Sequence, residues 1–168
     1  AAFDMRVHIH DPFVTDETIR AAGYHPVPDW RAALPEMDAL SLHLPATPET
    51  RGMIGAEELA RMKPTAILIN AARGGLVDEA ALHAALSGPM ARGGAGLDCF
   101  AAEPPAPDLP LLTLPNIVLS PHSAALSAET AQRMGEVAAR NVVAGLKGQL
   151  DPALVFNLAA LKEAGHGL

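Results

Sequence analysis

Cysteine is almost missing from this chain: Cys99 stands alone among 168 residues. An internal disulfide is thereby excluded, and a reducing compartment, the cytoplasm, suits the composition. Positive charge is also scarce, with 12 Lys and Arg against 19 Asp and Glu and a net charge of −7. The few cations are scattered, so the chain offers no surface for nucleic acid. No apolar run approaches the roughly 20 residues that a membrane span needs, and no signal-peptide pattern opens the sequence. No Cys/His spacing resembles a zinc site, and there is no internal repeat. An initiator Met is absent too. The chain opens Ala1-Ala2-Phe3-Asp4-Met5 and reads as part of a longer one.

What is present is apolar. Nearly half the residues, 49%, are hydrophobic, enough for a sizeable core. The organising stretch is Ala66 to Gly75. Ala66-Ile67-Leu68-Ile69 suits a strand buried on both faces of a parallel sheet. Asn70, two alanines, Arg73 and the Gly74-Gly75 pair then turn the chain sharply. A helix is expected from Asp78 to Ser87. Further strands are expected at Met5–His10, Tyr24–Val27, Ala39–His43, Ala95–Leu97 and Asn116–Leu119. Helices are expected at Asp16–Ala22, Asp29–Leu34 and Gly55–Met62, with a long one from the Ser127 cap to about Lys147. That helix should carry Ala131, Met134, Ala138 and Val142 along one face. Residues 101–115, with Pro104, Pro105, Pro107, Pro110 and Pro115, are expected to be irregular loop. The stretch from Asp151 ends in a polar, frayed tail. Strands alternating with helices define an α/β chain with a doubly wound parallel sheet.

Ligands of such sheets bind beyond the carboxyl ends of the strands. Asp11, His43, Arg73, Asp98 and His122 all fall at such ends, and Glu103 lies in the loop after Asp98. Asp11 reads equally as a turn former or a ribose ligand, and Asp98 as a turn cap or a functional acid. His43 reads as a satisfied rim histidine. His8, His10, His25, His83 and His166 read as ordinary surface or strand residues. Arg73, among small residues, carries the forked cation that grips carboxylate or phosphate. His122 sits on a constrained loop after Ser120-Pro121. A carboxylate beside an imidazole favours its charged form and makes a general acid/base unit. An acid/base His, an orienting Glu and a carboxylate-gripping Arg suit reduction of a 2-keto acid, with hydride from a cofactor.

Several motifs succeed one another in a telling order. They are Asp11-Pro12, Leu42-His43-Leu44-Pro45, Asn70-Ala71-Ala72-Arg73-Gly74-Gly75-Leu76-Val77-Asp78-Glu79 and Gly96-Leu97-Asp98-Cys99-Phe100. Glu103-Pro104-Pro105, Pro115 to His122 and Ser123-Ala124-Ala125 complete the series. In this order, over residues 5 to 157, they resemble the C-terminal part of the D-isomer-specific 2-hydroxyacid dehydrogenases. The resemblance implies a Rossmann-like domain, NAD as cofactor, a small 2-hydroxy acid or 2-keto acid as substrate, and a homodimer without nucleic-acid or membrane partners. It implies that Arg73 binds substrate carboxylate, that His122 donates or accepts the proton, and that Glu103 pairs with it. It further implies that Asp11 binds the adenosine ribose, that Leu44, Pro45, Ala71 and Ala72 line the cofactor, and that Asp98 holds the nicotinamide carboxamide. Ser123, Ala124 and Ala125 fall beside the nicotinamide, where many members carry a glycine.

The front of the pattern departs from the family. Its Gly-x-Gly-x-x-Gly strand, turn and helix are not found, nor is its N-terminal substrate domain. The expected organisation is an incomplete dinucleotide-binding domain at 1–122, a linking helix and substrate-domain segment at 123–157, and a tail at 158–168. The fragment would then need another segment to complete its sheet. The alternative function is a catalytically inactive NAD-binding-like module, or a dehydrogenase-like corepressor acting through partner surfaces.

Overall fold

The computed structural model describes residues 4–165. Ala1 to Phe3 at the start, and His166 with the last of the expected tail, lie outside the described residues. The chain divides into two compact units, one through Ala124 and one from Ala125.

The first unit alternates strand and helix. Its elements are β1 (His8–Ile9), α1 (Asp16–Ala21), β2 (His25–Pro26), α2 (Trp30–Ala33) and β3 (Ala39–Leu42). Then come α3 (Ala56–Arg61), β4 (Ile67–Asn70), α4 (Glu79–Leu86), β5 (Gly94–Leu97) and β6 (Ile117–Leu119). The expected elements are all found, mostly shorter than expected at their ends. Helix starts obey local chemistry. Thr15 accepts from the Thr18 N–H, Asp29 from Arg31 and Ala32, and Asp78 from Ala81, each satisfying donors with no partner inside the helix.

Among the described residues the strands pair in parallel, in two separate sheets: β1–β2, and β3–β4–β5–β6 in that order. This is a Rossmann-like α/β arrangement, with a break between the strand pair and the four-stranded sheet. The register places Leu42, Asn70, Leu97 and Leu119 side by side. The residues just past them, His43, Ala71, Asp98 and Ser120, therefore leave the sheet along one edge.

The core lies under one face. Leu42, Leu68, Ala95 and Leu97 of the sheet pack with Leu59 and Met62 around α3, with Leu82, Ala85 and Leu86 of α4, and with Ile54 and Leu76. The expectation that β4 is buried on both faces is corrected here. Leu68 and Asn70 are buried, but Ile67 and Ile69 of the same strand are 47% and 40% exposed. Crossovers between neighbouring parallel strands keep one hand, so α3 and α4 both fall on the same face. The opposite face forms an open groove lined by Thr65, Ile67, Ile69, Gly94, Gly96 and Val118. The proline-rich loop is also more regular than expected. Pro110–Thr113 makes a 3₁₀ turn, which a proline at its start favours, and buries Leu111 in the core.

The second unit contains α5 (Ala128–Leu146), a 3₁₀ turn at Pro152–Leu154 and α6 (Leu158–Glu163). Ser127 caps α5 by accepting from the Thr130 N–H at 3.1 Å. Met134 and Val142 of the expected apolar face are exposed, as is Leu146. The expected frayed tail is helical at α6, where Leu158 and Leu161 recur at helical spacing.

Candidate active site

Asn70, 2% exposed, ends β4 and shapes the turn after it. Its Nδ2 donates to the Arg73 carbonyl at 2.9 Å, and its Oδ1 accepts from the Ala72 N–H at 3.2 Å. One buried amide thus closes the turn that presents Arg73. A Cβ at Gly74 would land on the Phe100 carbonyl, so the Arg73 turn is pressed against the segment leading to Glu103. Gly75 then takes a positive φ of 79°. Behind the turn, Gly52 donates to the Gly75 carbonyl at 2.7 Å and Ile54 to Leu76 at 3.1 Å. Arg73 itself is exposed, with one guanidinium nitrogen donating to the Ala72 carbonyl at 2.6 Å. Its other N–H groups are available to a ligand.

A shallow cleft of about 380 Å³ is lined by His43, Leu44, Pro45, Ala71, Ala72 and Arg73. Five of these are candidates from the sequence. The Leu44-Pro45 exit is held by Thr50, whose hydroxyl donates to the Pro45 carbonyl at 2.8 Å. His43 is satisfied by Ser41 at 2.8 Å, matching its expectation as a rim histidine.

His122 Nδ1 and Glu103 Oε2 lie 2.7 Å apart, with the two side chains 48% and 39% exposed. The other Glu103 oxygen accepts from the Phe100 N–H at 3.0 Å. The His122 hydrogen bond, with that backbone N–H in support, holds the Glu103 carboxyl below its ordinary pKa. Glu103 is therefore an ionised, acceptor-only partner, and Nδ1 must carry the proton between them. The Glu103 segment is anchored further by Glu79, which accepts from the Ala101 N–H at 2.7 Å. Cys99 Sγ lies within 4.8 Å of ligand atoms of Glu103 and His122, and burial pushes its thiol pKa up.

Asp98 is buried, 6% exposed. Its Oδ1 accepts from the Ser120 hydroxyl and from the Ser123 N–H at 2.8 Å, and its Oδ2 from the Ala124 N–H at 2.9 Å. These bonds, the Ser120 hydroxyl foremost, depress its pKa. Between those donors His122 has φ of 53°, the left-handed region. A non-glycine residue held there costs about 1–3 kcal/mol and persists only where its surroundings impose it.

Asp11 lies just past β1, and one of its oxygens accepts from the Phe13 N–H at 2.9 Å. It is thus a turn former, and its second oxygen is uncommitted among the described residues. Ala125 begins the second unit. Sequence reasoning left Ser120, Glu79 and Thr50 unassigned. Ser120 could have been found by aligning strand ends, since it falls beside Asp98 in the register.

A loop-borne arginine, a Glu–His pair and small residues at the carboxyl edge of a parallel sheet define a dehydrogenase-like nucleotide domain. The chain belongs to the family described as D-isomer specific 2-hydroxyacid dehydrogenase, NAD binding domain, which matches residues 1–124. It is similar to a glyoxylate reductase of Korarchaeum cryptofilum, at 47% identity over 91% of this chain and 46% of that protein. It is also similar to a D-3-phosphoglycerate dehydrogenase of Methanocaldococcus jannaschii, at 41% identity over 89% of this chain and 28% of that protein. Among solved structures, D-lactate dehydrogenase with NAD+ from Lactobacillus jensenii superimposes with a TM-score of 0.77 at 35% identity. That match covers 88% of this chain and 47% of the other. The chain thus spans less than half the length of each of these relatives.

Proposed function

We propose that the chain carries the cofactor-binding and acid/base part of an NAD-dependent D-2-hydroxyacid dehydrogenase. Its substrates are a small 2-hydroxy acid and the matching 2-keto acid, with glyoxylate, hydroxypyruvate and the 3-phosphoglycerate pair as first candidates. The observation that carries this reading is the 2.7 Å contact between His122 Nδ1 and Glu103. With Nδ1 engaged, Nε2 is the nitrogen that exchanges a proton with substrate oxygen. In keto-acid reduction the imidazolium delivers that proton to the carbonyl oxygen. In the reverse direction the neutral ring takes it from the hydroxyl. Arg73 grips the substrate carboxylate and fixes which carbon faces the hydride.

The residues present fit the cofactor. Leu44, Pro45, Ala71 and Ala72 give the cleft small apolar walls beside the strand ends. Oδ2 of Asp98 receives one hydrogen bond and can accept another, from a carboxamide. Ser123 and Ala124 would line the same end. The uncommitted oxygen of Asp11 suits a ribose hydroxyl and opposes a 2′-phosphate, which favours NAD over NADP. The bound nicotinamide supplies or receives the hydride.

Residues 123–157 are read as the linking helix and segment of a substrate domain, and 158–168 as a tail. The assembly proposed is a homodimer, and the compartment the cytoplasm, which suits a buried free thiol. The test is NADH consumption by the complete protein with glyoxylate, hydroxypyruvate, pyruvate and phosphohydroxypyruvate. Turnover with at least one supports the reading. NADH binding without turnover on a wide 2-keto acid panel would replace it with a binding module.

A further inference from the structure

The acid/base pair needs His122 in a backbone conformation that an ordinary residue avoids. Something must impose it, and Glu103 alone does not, since it holds only the ring. The backbone on both sides of His122 is held instead by one buried carboxylate. Two residues before it, the Ser120 hydroxyl donates to Asp98 Oδ1. Immediately after it, the Ser123 N–H reaches the same oxygen at 2.8 Å. The Ala124 N–H reaches Oδ2 at 2.9 Å. Successive N–H groups turned onto one anion form a nest, the concavity that a left-handed residue creates. Asp98 is itself fixed, because its own N–H donates to the Asn70 carbonyl at 3.0 Å. Ser120 is fixed likewise, its N–H donating to the Leu97 carbonyl at 3.0 Å. The anchor is therefore sheet backbone, and the anchored part is the histidine loop.

We propose that Ser120 and Asp98 are positioning residues for the acid/base histidine: the carboxylate winds residues 120–124 around itself and so delivers His122 Nδ1 to Glu103. Neither needs to touch the substrate to do this. The role deepens the dehydrogenase reading and rests on it. It also explains why a buried acid stands at the edge of the sheet with three donors from one short loop.

Ser120 is the residue to vary, because Asp98 is also assigned to the cofactor whereas Ser120 is not. In the complete protein, Ser120→Ala leaves Asp98 with its two backbone donors but frees one flank of the loop. The expected result is a fall in kcat of roughly tenfold, as loss of alignment produces, with NADH affinity unchanged. Ser120→Thr, which keeps the hydroxyl, should restore kcat. In a Glu103→Gln background the same Ser120→Ala change should cost little, since the partner it serves is already gone. Equal fold-losses in the two backgrounds, or a Ser120→Ala kcat equal to the parent's, would overturn the proposal. If the complete protein turns over no keto acid, the dehydrogenase reading fails first. The positioning role is then read from the His122 Nδ1–H resonance, which Ser120→Ala should shift or broaden and Ser120→Thr should not. An unchanged resonance would overturn it independently of activity.

Discussion

Replacing Gly74 by Ala adds one methyl group where the Arg73 turn meets the Glu103 segment. The added Cβ would fall on the Phe100 carbonyl, with the Ala101 nitrogen at 3.0 Å. Both obstacles are backbone, so no side chain can swing aside. Gly74 does not have a positive φ, so Ala meets no conformational strain there and space alone decides the cost. Relief requires the Phe100–Ala101 peptide to retreat by more than an ångström. That peptide is held by Glu79 through its Ala101 N–H, and the peptide before it by Glu103 through the Phe100 N–H. Overpacking of this kind costs about 1–3 kcal/mol. In a domain of this size that lowers Tm by roughly 2–12 °C. The functional cost should be larger. The displaced segment carries Glu103 and the displaced turn carries Arg73, and a misplacement of about 1 Å can lower turnover by ~10²-fold. Calorimetry and steady-state kinetics on the complete protein read both effects. Gly96→Ala is the control, since its Cβ meets nothing within 4 Å and its φ is not positive. A Gly74→Ala protein that matches Gly96→Ala in Tm and kcat would refute the claim that the two loops are wedged together.

Other expectations rest on the same geometry. Arg73→Ala should raise KM and lower kcat in steady-state assays, and Arg73→Lys should rescue only partly, because a point charge cannot grip two oxygens. Full recovery with Lys would exclude a forked carboxylate contact. Asp11→Ala should narrow the preference for NADH over NADPH in competing-cofactor kinetics, and an unchanged ratio would remove Asp11 from ribose recognition. Leu68→Ala should cost about 2–5 kcal/mol in denaturant unfolding, since Leu68 is fully buried in β4; a loss within error of zero would contradict the core assignment. Asp98 and Glu103 have folded pKa values below their free ones, through Ser120 and His122 respectively. Their contribution is therefore complete above the free values of about 3.9 and 4.3 and is lost as pH falls through the folded ones. Ser123 and Ala124 amide shifts should hold steady to about pH 4 and move only below it. Movement near neutrality would mean that Asp98 does not anchor the loop.

Strand β4 was legible because four apolar residues ended in Asn and small residues, and the exit loop with Arg73 came with it. Its two-sided burial was misread for a physical reason. A continuous apolar run looks the same whether one face or both are covered, and the exposure of Ile67 and Ile69 shows that the helices of the first unit cover only one. Glu103 and His122 stand out by their places at and after strand ends, and motif order adds their pairing. Their pairing depends on contacts across 19 residues of sequence. Ser120 escaped notice because a serine before a proline carries no local signal. Its meaning comes from the register that sets it beside Asp98, 22 residues away. The helical turn at Pro110–Thr113 was hidden by its prolines, whose fixed φ can open a short helix as readily as prevent one. Helix α6 was hidden by its place near the end of the chain.

In the proposed reaction His122, held by Glu103, moves the proton in keto-acid reduction. The most direct test is single-turnover oxidation of NADH by the complete protein and by its His122→Ala variant, on whichever keto acid the parent uses best. General acid catalysis contributes about 10²–10⁴-fold. A loss of that size is expected in the chemical step, with keto-acid affinity in the NADH complex nearly unchanged. A variant that turns over NADH at close to the parent's rate would contradict it.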